Sequence, residues 1–138
     1  MKRDLILRVI VKLTLPFMLL FALYVQFHGE LGPGGGFQAG VIAAGMVILY
    51  ALVFGIREAK RIAPQVVVER MVPFGVLIYA GTGIAGMLTG LNFLDYSRLA
   101  HDSPHGHEYG IFAVEIGVLI TVSSTMIAIF YAFVERGR

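Results

Sequence analysis

The sequence predicts an all-α integral membrane protein of four spanning helices with both termini cytoplasmic, and three observations carry that prediction. Hydrophobic residues make up 57% of the 138-residue chain and charged residues only 14%, whereas an ordinary soluble domain carries about 25% charged residues. The apolar residues fall into four runs, each near the roughly 20 residues that a helix needs to cross a bilayer core. Ten of the eleven Lys and Arg residues lie in the N-terminal segment, the link after the second run or the C-terminal tail, and only Arg98 lies elsewhere. Short loops rich in Lys and Arg mark the cytoplasmic side. One membrane domain over residues 1–138 follows, with no room left for a soluble one. A bundle of four helices encloses little interior, so partner subunits are expected.

The first span runs from about Val9 to Phe27. Its basic lead of Lys2, Arg3 and Arg8 resembles a secretory signal, but the run is long, contains Lys12 and lacks a small-residue cleavage site, so it reads as a retained helix. Lys12 lies one turn from Arg8, close to the cytoplasmic end, where a lysine snorkels to the interface. The alternative is that it faces the bundle and pairs with an acid of a partner. Pro16, one turn on, is expected to kink the helix.

The second span, about Phe37 to Ile56, is entered through the glycine-rich turn Gly29 to Gly36. Gly36, Gly40 and Ala44 recur every fourth residue, and small residues at that spacing let membrane helices approach closely. The third span, about Met71 to Leu91, follows a charged link from Arg57 to Arg70 and carries a similar stripe in Thr82, Gly86 and Gly90. The fourth, about Tyr109 to Val134, follows a polar loop with Asn92, Asp95, Ser97, Arg98 and the histidines His101, His105 and His107.

Several motifs invite chemistry that their context rejects. Gly81-Thr82-Gly83-Ile84-Ala85-Gly86 fits a dinucleotide fingerprint, but that fingerprint requires a preceding strand and an acidic residue about 20 residues on within a βαβ unit, whereas this match lies inside an apolar span. There is no cysteine, so disulfides and thiolate metal sites are excluded. The histidine loop follows no recognised zinc spacing, and it reads as a solvated loop with His107 and Glu108 as candidate proton relays, because imidazole titrates near neutrality. Neither a cofactor nor a resident metal is expected. The net charge of +2 comes from helix-end cations that set orientation, so nucleic acid is not implied either.

Glu115 is the most informative residue. It lies about two turns inside the fourth span among Val114, Ile116, Val118, Leu119 and Ile120, and a carboxylate at that depth is expensive, so it ordinarily faces protein or water and serves ion or proton movement. Glu108, seven residues earlier, falls on the same helical face. Two carboxylates in line from the surface inward form a stepped path for a cation or proton. The competing reading is a structural ion pair or hydrogen bond to a neighbouring subunit. At the second span, Pro33-Gly34-Gly35-Gly36 is expected to hold irregular backbone at membrane depth, with Phe37 and Gln38 just inside the helix.

These segments together resemble one family. Asp4-Leu5-Ile6-Leu7-Arg8, the Pro16 helix, His28 through Gly40 with its Pro-Gly-Gly-Gly-Phe-Gln core, and His107-Glu108-Tyr109-Gly110 through Val114-Glu115-Ile116-Gly117-Val118 are similar to the MnhB subunit of the Mrp (Mnh) multisubunit cation/proton antiporters. The resemblance covers nearly the whole chain. It implies a non-enzymatic subunit in a prokaryotic cell membrane, assembled with other hydrophobic antiporter subunits into a complex that exchanges cytoplasmic Na+ for external H+. By the same resemblance, Pro33 to Gln38 are the family's marked segment and Glu115 its membrane carboxylate. Related subunits occur in the sodium module of membrane-bound hydrogenases, so that assembly is an alternative, as is a purely structural subunit. A self-contained small multidrug exporter also has four helices, but that family keeps its glutamate in the first span, which here has none.

Overall fold

The computed structural model describes residues 2–29, 34–96 and 103–137. Among the described residues five helices follow one another: α1 (Lys2–His28), α2 (Gly36–Phe54), α3 (Ile56–Ile62), α4 (Gln65–Leu88) and α5 (Ser103–Arg136). Four of them, all but α3, are long and apolar enough to cross a membrane.

The helices outrun the expected spans at several ends, and the reason is physical. Apolar length sets how much of a helix lies in lipid, but backbone hydrogen bonding continues into water until a residue stops it. The link expected from Arg57 to Arg70 is therefore mostly helical. Gly55, with φ 100° and ψ 153°, breaks α2 from α3, and Pro64 forces Ala63 into an extended conformation that separates α3 from α4. The histidine segment expected as a loop begins α5 at Ser103, which puts Pro104 in the first turn, where its missing N–H costs nothing. Gly90 ends the third span as a turn residue at φ 82°.

Contacts order the spanning helices α1, α2, α5, α4 across the molecule, with α2 and α5 in the middle and α4 against α5 the largest interface. Two antiparallel hairpins, α1 with α2 and α4 with α5, thus join along α2 and α5. The joins are made over small residues. A Cβ at Gly36 would run into the Glu115 carbonyl oxygen, one at Gly40 would lie 3.0 Å from the Leu119 carbonyl oxygen, and one at Gly117 would lie 2.8 Å from that of Gly75. In lipid no hydrophobic effect drives helices together, so this close backbone approach and its dispersion contacts hold the bundle.

At the end carrying the termini, Tyr131 is fully buried in a cluster with Ala44, Ala51, Ala59, Val68 and Ile127. Its hydroxyl donates to the Ala63 carbonyl at 3.0 Å. The Lys60 ammonium lies 5.4 Å over its ring and pairs with Glu135. These contacts pin α3 and the start of α4 to the last turns of α5. The opposite flank is apolar and open: Leu13, Phe17, Leu20 and Phe27 of α1 are all more than half exposed, as expected where lipid or another subunit lies.

Candidate functional site

The site is built where the turn into α2 meets α5. The α1 helix ends at His28, and the chain returns so that the Gly35 amide donates to the Val25 carbonyl at 3.2 Å. Gly35 is the N-cap of α2, and its φ of 125° lies in a region that side chains avoid. Gly35 has no side chain with which to cap this helix start. Its first amides and the positive end of its dipole therefore point out of the helix, an arrangement that favours a negative group.

Glu115 supplies that group. Its Oε1 lies 3.3 Å from the point a Cβ on Gly35 would occupy and 3.0 Å from the corresponding point on Gly29. The carboxylate thus fills the hollow that two missing side chains leave, and any side chain at Gly29 or Gly35 would displace it. The Gln38 Oε1 approaches the same Gly35 position to 3.6 Å, so an amide oxygen and the carboxylate border one hollow, and the Gln38 residue is exposed. Glu115 itself is partly buried, with Oε2 shielded from solvent. The result is a carboxylate held against irregular backbone at a helix start, a geometry that membrane proteins tolerate where protein or a water-lined cavity surrounds it.

The other residues singled out in the sequence are placed unequally. Glu108 lies on the line of Glu115, two turns nearer the start of α5 and exposed, about 10 Å away along the axis. Between them Phe112 stacks on Phe27 of α1 at 5.6 Å, so an apolar ring pair separates the two carboxylates. His107 is turned away: it meets the Tyr96 ring edge-on at 6.3 Å, beside α4. Burial, and then the neighbouring Tyr79, raise the Tyr96 phenol above its ordinary value of 10.0. Lys12 is at the other end of the molecule, its ammonium 5.5 Å over the Phe54 ring where α2 finishes. One length of α2, about 27 Å by helical rise, separates it from Glu115.

The stripes divide likewise. Gly36, Gly40 and Ala44 face α5 or the core, and Ala44 is fully buried. Gly86 packs instead against its own following loop, where a Cβ would lie 2.7 Å from the Asp95 carbonyl oxygen, and a Cβ at Gly90 would meet nothing within 4 Å among the described residues. Gly90 takes a backbone conformation, φ 82°, that favours glycine. Phe37 is exposed. Pro33, Arg98, His101 and Asp102 lie outside the described residues.

The sequence reading missed one residue. Gln26 is 4% exposed, and both its amide atoms are buried without a hydrogen-bond partner among the described residues. It continues the inward stripe of Val11, Leu15, Met18 and Ala22 on α1 and lies next to Val25, whose carbonyl holds Gly35. An amide on the buried stripe of an apolar helix, three residues before the glycine turn, was the available signal.

Comparison with known proteins adds the following. A family model described as a domain related to the MnhB subunit of Na+/H+ antiporters matches residues 6–128. The chain is 31% identical to a Staphylococcus haemolyticus protein named antiporter subunit mnhB2, over 95% of this chain and 94% of that protein. It is 30% identical to the B subunit of the Na+/H+ antiporter of Alkalihalophilus pseudofirmus, over 89% of this chain and 92% of that one.

Proposed function

The chain belongs to the family of domains related to the MnhB subunit of Na+/H+ antiporters, and from that premise we propose that Glu115 is its point of contact with the cation path of the complex. It is a multi-pass bacterial membrane protein and an antiporter subunit, so other antiporter subunits surround it. The reading is that the complex exchanges cytoplasmic Na+ for external H+, with both termini of this chain in the cytoplasm. The role is transport without catalysis of a covalent reaction.

The observation that carries this reading is the carboxylate of Glu115 against the glycine N-cap of α2, with the Gln38 oxygen beside it. A carboxylate and an amide oxygen are hard donors suited to Na+ or a proton. The dipole of α2 lowers the cost of the charged form, so the group can exchange its cation. Lys12, a helix length away, takes no part in the site. Orientation rests on the cationic termini and link, with Arg57, Lys60, Arg61 and Arg70 gathered at the same end as Lys12.

Accessibility tests it. The chain has no cysteine, so Glu115→Cys introduces its single thiol. In the assembled complex, a water-soluble thiol reagent is expected to label this subunit at position 115 at a rate well above that of an Ala44→Cys control. Equal, negligible labelling at both positions would make Glu115 a buried structural group and remove it from the path.

A further inference from the structure

We propose that the cleft between α1, α2 and α3 binds one anionic phospholipid, drawn from the leaflet on the side of the chain termini. Its apolar part is a groove of about 320 Å³ lined by Leu15, Leu19, Met46, Val47 and Ile62 among others, with Lys12 at its edge. Beside it, at the α2–α3 turn, Phe54, Gly55, Arg57 and Glu58 form a second hollow of about 370 Å³. A stacked ring pair links the two, since Tyr50 lines the groove and Phe54 the hollow, with centroids 4.6 Å apart. Groove and hollow adjoin across this ring pair, an apolar part beside a polar one, which is the layout of a phospholipid.

The charges choose the headgroup. The Arg8 guanidinium and the Lys12 ammonium both lie over the Phe54 ring, at 5.8 Å and 5.5 Å, and Arg57 is exposed on the wall of the hollow. Against them stand Asp4, one turn before Arg8, and Glu58, which accepts from Arg61 at 3.2 Å. The four cations Arg8, Lys12, Arg57 and Arg61 exceed the two acids, so the site attracts a net negative head. Basic pockets between membrane helices at the interface are suited to such lipids. An apolar helix of another subunit laid in the same groove would cover Lys12 without offering it a counter-charge, which is costly in lipid. A phosphate offers one.

The test uses the whole complex with a photoreactive benzoylphenylalanine at Leu19, irradiated in native membranes and analysed by the mass of the modified subunit. The expected adduct is phosphatidylglycerol or cardiolipin, enriched over its share of the membrane. In the Arg8→Gln/Lys12→Gln double variant, affinity should fall about 25-fold, from about a fivefold contribution per cation near the surface. A cross-link to another subunit would overturn the proposal, and so would a phosphatidylethanolamine adduct whose yield the double variant leaves unchanged. If the double variant fails to assemble, the adduct formed with Arg8 and Lys12 intact still decides between anionic lipid, zwitterionic lipid and protein.

Discussion

Replacing Gly36 by Ala adds one methyl group at the tightest point of the α2–α5 contact, and the structure sets both the sign and the size of its effect. The new Cβ would fall on the Glu115 carbonyl oxygen and close to its Cα, which lies 3.1 Å away. Both obstacles are backbone, so no side-chain rotation relieves them and the helices must separate. Overpacking of this kind costs about 1–3 kcal/mol. Separation also draws the Glu115 carboxylate off the start of α2, forfeiting up to about 1 kcal/mol of dipole stabilisation. Gly45→Ala on the same helix is the control, because among the described residues nothing lies within 4 Å of its added Cβ, and replacing a helical glycine by alanine favours the helix by about 1 kcal/mol. The assay is the fraction of intact complex remaining after graded heating, read by size-exclusion chromatography. Gly36→Ala should lower the midpoint by several degrees, while Gly45→Ala leaves it unchanged or raises it. Equal midpoints for the two variants would refute the close contact between Gly36 and Glu115, and with it the placement of the carboxylate.

Other outcomes follow from the same geometry. Tyr131→Phe removes the hydrogen bond to the Ala63 carbonyl and should cost about 1 kcal/mol, seen as faster proteolysis of the α3–α4 link with little change in exchange activity. Because the Tyr96 phenol is raised by burial and by Tyr79, the folded loop holds its proton more tightly than the unfolded chain. Its contribution is full below the ordinary value of 10.0 and is lost as pH rises through the higher folded value. Hydrogen exchange at residues 92–96 should therefore accelerate beyond the intrinsic rate only above the ordinary phenol value of 10.0, and Tyr96→Phe should flatten that excess. Reporter fusions at both termini should read cytoplasmic, and an extracytoplasmic reading at either end would contradict the proposed orientation.

Much of this architecture is written locally. Four apolar runs gave four spanning helices because lipid demands about 20 apolar residues per crossing, and Glu115 stood out because an isolated carboxylate in such a run is rare. Helix ends were less legible. Glu69 and Arg70 mark the edge of the third apolar run, yet helix formation does not depend on apolarity, so α4 continues back to Gln65 and the Arg57–Arg70 link coils into α3. Partner identity was not legible at all: Gly36 and Gly86 carry the same small-residue signature, but one meets α5 and the other its own loop. The order α1, α2, α5, α4 decides between them, and that order depends on which faces interlock. His107 and Glu108 are adjacent in sequence, yet a turn of about 100° per residue sends one toward Tyr96 and leaves the other in line with Glu115. Gln26 offers only a local signal, one amide three residues before the glycine turn, and its burial is decided when Ala22 and Val25 fix the inward face of α1.

The central claim, that the Glu115 carboxylate takes part in cation exchange, is tested most directly by sodium-dependent proton exchange in everted vesicles carrying the whole complex with Glu115→Gln. The amide keeps the shape of the side chain but removes its charge, and a native gel on the same membranes verifies assembly. The account predicts an assembled complex whose exchange falls at least about tenfold, and normal exchange by an assembled complex would contradict it.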